Sequence, residues 1–318
     1  MPSMEVAQFC SASRVVIVAG KGGVGKTTVT ATLATAAART GASVLIVEVE
    51  GKSGLTTAFG CEPLRYEECE VGAGIRARTL TPDQALLEYL EDRGLRRFSR
   101  RLTNSGALDV VSTAVPGMRE ILVLGKVKGL ERAGAADLII IDAPAAGHAV
   151  SFLMSPRGLI DAVRIGPIRT QAEDVIALLS DPARCRVILV TLPEETPVNE
   201  LVDTAYALED RVGIKLGPIV VNGWFPDAPE PSQAVARDAA ILGLALGEDE
   251  AARLDAAAAF RHERHLRQRL QVERLAERLP LAQIQLPFLF DEIGPAQLET
   301  LADHLKESVA AIPGGAES

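Results

Sequence analysis

Six short apolar runs rich in valine and isoleucine punctuate the chain: RVVIVA (14–19), SVLIVEV (43–49), DLIIID (137–142), RVILVTL (186–192), GPIVVN (217–222) and AQIQLP (282–287). Most run without polar alternation, as strands covered on both faces do. Long helical patterns separate them. That rhythm predicts an α/β fold, a doubly wound, mainly parallel sheet. One helix shows its own stop signal: the alanine-rich stretch KTTVTATLATAAARTG ends at Gly41, where glycine commonly closes a helix.

Two stretches break the rhythm. Residues from about 61 to 134 carry helical patterns and weak strand signals, and residues from about 238 to 279 read as one or two long helices dense in arginine and glutamate. In the second, Glu263 lies four residues from Arg267, and Glu273 lies four from both Arg269 and Glu277, a mixed pattern that suits a solvated helix face. The proline-rich NGWFPDAPEPSQ reads as the loop leading into it. With 318 residues, 47% of them apolar, the chain can bury a large core. The simplest organisation is one domain over residues 1–318 with two helical insertions.

The net charge of -9 argues against a nucleic-acid partner, which requires a basic face. The start, MPSMEVAQFCSASR, lacks a secretion pattern, and no run reaches the roughly 18 apolar residues of a membrane span. A soluble, cytoplasmic protein with at most peripheral membrane association is expected. Cys10, Cys61, Cys69 and Cys185 form no C-x-x-C pair, so neither a disulfide framework nor a zinc site is expected.

The chemistry concentrates in GKGGVGKT, Gly20 to Thr27, between the first predicted strand and the first long helix. The pattern G-x-x-x-x-G-K-[ST] in that context is a phosphate-binding loop. Backbone N–H groups of Gly22, Gly23, Val24 and Gly25 converge on phosphate oxygens, helped by the positive end of the helix. Lys26 is expected on the β- and γ-phosphates, Thr27 on magnesium and Thr28 on the α-phosphate. Asp142 ends an apolar strand, where a carboxylate can hold magnesium through water. Glu48, two residues before Glu50 on the same strand face, is a further candidate for the metal. The expected cofactors are ATP and Mg2+. GTP is less favoured, because no N-K-x-D stretch follows VVN.

The early Lys21 is superfluous within a loop already served by Lys26. With it, the sequence resembles the deviant Walker A ATPases, whose pattern is K-G-G-x-G-K-[ST]. That group includes the arsenical-pump ATPase ArsA, the tail-anchored-protein targeting ATPases, MinD and ParA. The resemblance implies that Lys21 crosses to a partner's nucleotide and neutralises charge during phosphoryl transfer, within a nucleotide-sandwich dimer. LIIIDAPAAGH looks like the switch segment D-T-A-P-T-G-H of ArsA and the targeting ATPases, with Gly147 and His148 kept and the threonines replaced by Ala143 and Ala146. Asn222, after the strand GPIVVN, takes the place of the family's adenine-reading asparagine. Pro287 and Phe288 match the proline segment that packs near adenine. VPGMREILVLGKVK and LTPDQALLEYL resemble family segments of the helical subdomain.

One departure matters. Where the family has a D-P-A-H-type first switch, this chain reads VEVEGKSGLTTAFG, with Glu50 in the place of the water-positioning aspartate. The longer side chain moves the carboxylate, a misplacement worth about 10²-fold in rate, so slow hydrolysis is expected. The family's zinc pair and arsenite-sensing cysteine triad have no counterpart. Only four methionines occur, with Met118 and Met154 near the switch regions; leucines of the first insertion either line a client groove or pack as helix core. The pattern looks most like the bacterial ArsA-like subgroup. It implies an ATP-driven dimeric switch, paired with itself or with a paralogous ATPase, acting on an unknown protein client. The alternatives are a regulatory subunit with negligible turnover and a MinD/ParA-like positioning ATPase, although the tail LKESVAAIPGGAES lacks a basic amphipathic anchor.

Overall fold

The computed structural model describes residues 4–49, 54–92, 94, 117–225 and 235–313. Its centre is an eight-stranded sheet, ordered β3-β4-β2-β5-β1-β6-β7-β8. In chain order the strands are β1 (Val15–Gly20), β2 (Val44–Val49), β3 (Cys69–Gly72), β4 (Ile75–Leu80), β5 (Leu138–Ala145), β6 (Cys185–Thr191), β7 (Ile219–Trp224) and β8 (Gln283–Pro287). All six expected runs are strands, and their pairings are parallel. The exception in the sheet is β3, which runs antiparallel to β4 at one edge. The described helices are α1 (Val6–Ser11), α2 (Lys26–Arg39), α3 (Gly54–Phe59), α4 (Pro82–Asp92), α5 (Met118–Arg132), α6 (Ala146–Ala162), α7 (Pro167–Leu179), α8 (Glu195–Val212), α9 (Val235–Ile241), α10 (Glu248–Arg278) and α11 (Pro295–Ala310).

Two apolar cores flank the sheet, and strand alternation sorts the side chains between them. Val15, Ile17 and Ala19 of β1, Leu45, Val47 and Val49 of β2, and Ile139, Ile141 and Ala143 of β5 face one core, with α4–α8. Val18, Val44, Ile46, Leu138 and Ile140 face the other, which α2 and α11 cover. This two-sided burial is why the strands read as continuous apolar runs.

The stretch expected to be a helical insertion from about residue 61 instead first gives two strands to the sheet, β3 and β4, with β4 parallel to β2. In IRARTL the backbone ladder and cross-strand pairing outweigh a weak apolar pattern. Leu86 and Leu90 of α4 and Ile121, Leu122 and Leu124 of α5 lie in the core, so these leucines pack as helix core. The second insertion comprises the short α9 and the 31-residue α10, on which Glu263–Arg267 and Arg269–Glu273 pair as expected.

Cys10 and Cys185 are buried, and burial pushes both thiols up to about 12. Burial also raises the Cys61 thiol, with a smaller contribution from Cys69, whose own side chain is exposed. Among the described residues no helix is long and apolar enough to cross a membrane.

Glu131 on α5 receives a two-pronged hydrogen bond from Arg184, 3.0 Å from Nε and 2.7 Å from Nη2, which ties α5 to the start of β6. That bond holds the Glu131 carboxyl below the usual carboxylate range, against the opposing effect of burial. A depressed carboxyl contributes stability that is complete above its unfolded value and is lost as pH falls through the folded one. Glu131→Gln therefore lowers unfolding free energy by roughly 1.5–3 kcal/mol at neutral pH. In denaturant titrations the difference from wild type should shrink below about pH 4.5. A pH-independent gap would rule out this electrostatic origin.

Candidate nucleotide site

Open parallel sheets bind ligands at the carboxyl ends of their strands, beside the point where successive connections diverge. Here β1 sits between β5 and β6, and the chain leaves it for β2 on one side and later reaches β6 on the other. The loop after β1 lies at that point. It must turn from Gly20 into α2 within five residues, and Gly23 (φ +83°) and Gly25 (φ +89°) make the turn in left-handed conformations. A Cβ on Gly23 would meet nothing within 4 Å, whereas one on Gly25 would come within 2.1 Å of Asn222 Nδ2. The first lies open for a ligand, and the second is filled by the protein. Asn222 donates from Nδ2 to the Val24 carbonyl at 2.9 Å, so the residue expected at adenine also braces the loop.

Lys26 opens α2 and is buried, with Nζ donating to the Lys21 carbonyl at 3.0 Å. The ammonium thus arches over the loop, beside the unpaired N–H groups of a 14-residue helix with no acidic residue in its first turn. Such a concentration of donors suits phosphate oxygens. Gly22 completes the loop, and Thr28 follows Thr27 in the first turn of α2.

Thr27 Oγ1 donates to Asp142 Oδ2 at 2.7 Å, joining α2 to β5. Asp142 stands in register with Glu48 on the neighbouring β2. Alternation places both on the α2 side of the sheet, because Ile140 and Ile46, two residues before each, face that core. Both carboxylates are buried, and Thr79 Oγ1 donates to Glu48 Oε2 at 3.1 Å. A threonine hydroxyl beside one or two carboxylates fits magnesium, which keeps several waters and completes its shell with phosphate oxygens. Among the described residues no group of three or more His, Cys, Asp or Glu can hold a metal ion, and a phosphate-completed site requires none.

Lys21 is not free in solvent in this single chain. Its Nζ pairs with a carboxylate oxygen of Glu200 on α8. Gly147 falls in the first turn of α6, directly after β5, as does the backbone of His148. Glu50 lies outside the described residues, as does Pro116 ahead of α5.

At the far end of the site, Trp224 of β7 pairs with Pro287 of β8, and the Phe288 N–H donates to the Trp224 carbonyl at 2.8 Å. Phe288 stacks on Phe225 with centroids 4.8 Å apart, and Phe290 meets both rings edge-on. The Arg264 guanidinium lies 4.8 Å above Phe225. Gln268 clamps this corner by accepting from the Phe225 N–H at 2.8 Å and donating to the Gly223 carbonyl at 3.1 Å. His265 Nδ1 approaches the Phe225 carbonyl at 2.8 Å. The sequence reading missed Glu200, Phe225, Phe290, Arg264 and Gln268. The aromatics carried a faint signal in WFP and FLF, while the others sit on helices whose surface pattern is indistinguishable from solvated faces.

Comparison with known proteins agrees with this geometry. The chain is 29% identical to ATPase BagA of Mycobacterium tuberculosis over 93% of its own length and 94% of that protein. It is 27% identical to the arsenical pump-driving ATPase of Acidiphilium multivorum over 68% of its length and 40% of that protein. With ATPase get3 of Schizosaccharomyces japonicus it shares 28% identity over 51% of its length and 52% of that protein. The family model described as anion-transporting ATPase matches residues 13–175, which spans β1, the phosphate loop and the Asp142 segment, and the chain belongs to that family.

Proposed function

We propose that this protein is an ATP-hydrolysing molecular switch that closes on Mg2+–ATP as a pair of chains, with itself or a paralogous ATPase, and reports its state to a protein client. The observation that carries the reading is the hydrogen bond of Thr27 to Asp142 beside the buried Lys26. In this reading the glycine-loop N–H groups and Lys26 hold the β- and γ-phosphates, and Thr27, Asp142 and Glu48 hold magnesium. The metal, when bound, neutralises charge on the phosphate oxygens. A water oriented by Glu50 forms a bond from its oxygen to the γ-phosphorus while the bond from phosphorus to the β–γ bridging oxygen breaks. The water proton ends on inorganic phosphate, and ADP retains the bridging oxygen. Lys21 of the opposite chain offsets the charge that develops between them. Gly147 and His148, following Asp142 directly, carry the loss of the γ-phosphate to α6.

Light scattering with and without Mg2+–ATP, coupled to single-turnover hydrolysis, tests this. ATP-dependent pairing with turnover abolished by Glu50→Gln supports it; a monomer at saturating ATP overturns it. The glutamate in the first switch favours a second reading, a regulatory subunit of negligible turnover. In that case Glu50→Gln leaves the already low single-turnover rate unchanged.

The contact between Lys21 and Glu200 must open for Lys21 to reach a partner. Exposed pairs of this kind contribute about 0.2–1 kcal/mol, so Glu200→Gln should lower the ATP concentration for half-maximal hydrolysis by at most about fivefold. A large loss of turnover in this variant would mean that Glu200 takes part in the chemistry.

A further inference from the structure

Helix α10 is 31 residues long, about 46 Å, and is held to the body along one side only. His265, Gln268 and Leu275 make that side. Ion pairs and hydrogen bonds fasten it to the start of α8: Arg264 to Glu194, Arg274 to Glu195, and both Arg274 and Arg278 to Asn199. Lys21 pairs with Glu200 on the same turns of α8, so α10 flanks the mouth of the phosphate loop.

The opposite side of α10 is apolar yet exposed. At 100° per residue, Ala252, Ala256, Ala259, Phe260, Leu266 and Leu270 share one sector facing away from the body. Phe260 is 64% exposed and Leu270 63%. A polar-faced helix on a solvated surface does not carry such a stripe.

The stripe is also polarised. Its first half is small, made of alanines, and its second half is large, with Phe260, Leu266 and Leu270. Charge follows the same division. Residues 248–259 carry four carboxylates and one guanidinium, whereas residues 260–278 carry six guanidiniums and three carboxylates. A parallel copy would set leucine against leucine and arginine against arginine. An antiparallel copy sets leucine over alanine and the acidic end over the basic end, with Glu263, paired to its own Arg267 at 2.5 Å, near the two-fold axis.

We infer that the exposed face of α10 is a docking surface for α10 of a second copy of this chain, packed antiparallel, with Leu270 of each against Ala256 of the other. The inference deepens the two-chain reading above by naming a contact that does not need nucleotide, and it rests on that reading for the second chain.

Cysteine cross-linking tests it in a Cys61→Ser, Cys69→Ser background. Chains carrying Ala256→Cys are mixed with chains carrying Leu270→Cys and oxidised, with and without Mg2+–ATP. The mixed pair should cross-link at least tenfold faster than Leu270→Cys alone. Leu266→Arg with Leu270→Arg, both at exposed positions, should weaken dimerisation in light scattering at least tenfold with helix content unchanged by circular dichroism. Equal or faster homotypic cross-linking at Leu270→Cys, or a dimer affinity within twofold of wild type in the arginine variant, overturns the inference. Lys21→Ala separates the two ideas. If the α10 cross-link forms but Lys21→Ala hydrolyses ATP normally, the face-to-face mechanism fails while this contact stands; the reverse pattern removes the contact and keeps the mechanism. A wild-type chain that neither cross-links nor dimerises removes both.

Discussion

Replacing Lys21 with alanine lowers single-turnover ATP hydrolysis by roughly 10³-fold or more, the scale of a cationic finger acting on a phosphoryl transition state. Binding of ATP to the single chain stays within about threefold, because the loop amides and Lys26 hold the ground-state phosphates. The expectation comes from geometry within one chain. Lys26 already occupies the inside of the loop, where its Nζ reaches the Lys21 carbonyl, while the Lys21 side chain points outward to Glu200 on α8. An outward-pointing ammonium contributes to a neighbour's site more readily than to its own. Fluorescent-nucleotide titration and rapid-quench hydrolysis distinguish the outcomes. A parallel loss of affinity and rate would place Lys21 on its own chain's nucleotide and remove the case for a shared active site.

Asp142→Asn is the second large effect. The isosteric amide keeps an acceptor for Thr27 but loses the charge that faces a divalent cation beside Glu48. Loss of one preorganised electrostatic partner in a water-poor site costs about 10²–10³ in rate. The variant should therefore need far more Mg2+ for half-maximal hydrolysis and turn over about 10²-fold more slowly even at saturation. Since no apolar packing is removed, the melting temperature should change by only a few degrees, on the order of 1 kcal/mol. Unchanged magnesium dependence would show that Asp142 is a structural cap for Thr27 and that the metal lies elsewhere.

The six apolar runs made the parallel sheet legible, because a strand buried on both faces has no polar alternation to confuse with other patterns. The phosphate loop was equally plain, since tight turning and close approach to an anion restrict its residues to glycine and one lysine. The edge strands β3 and β4 were not legible. Sequences such as CEVG and IRARTL carry little apolar signal, and they become strands only by pairing with an existing edge. The first insertion offers a similar contrast: its leucines fit a groove or a core equally well on a helical wheel, and only packing against α5 and the sheet placed Leu86 and Leu90 inside.

By itself, then, the sequence determined the local chemistry: which segment turns around phosphate, which carboxylate ends a strand, and which family the motifs match. The tertiary structure alone decided the long-range meetings. It set Asn222 against the Val24 carbonyl, Lys21 against Glu200 and Gln268 under the Phe225 corner, across sequence separations of 198, 179 and 43 residues. A residue's type and neighbours fix its backbone preference and hydrogen-bonding capacity. Partners distant in the chain are chosen only when strand order and helix packing bring them within a few ångströms.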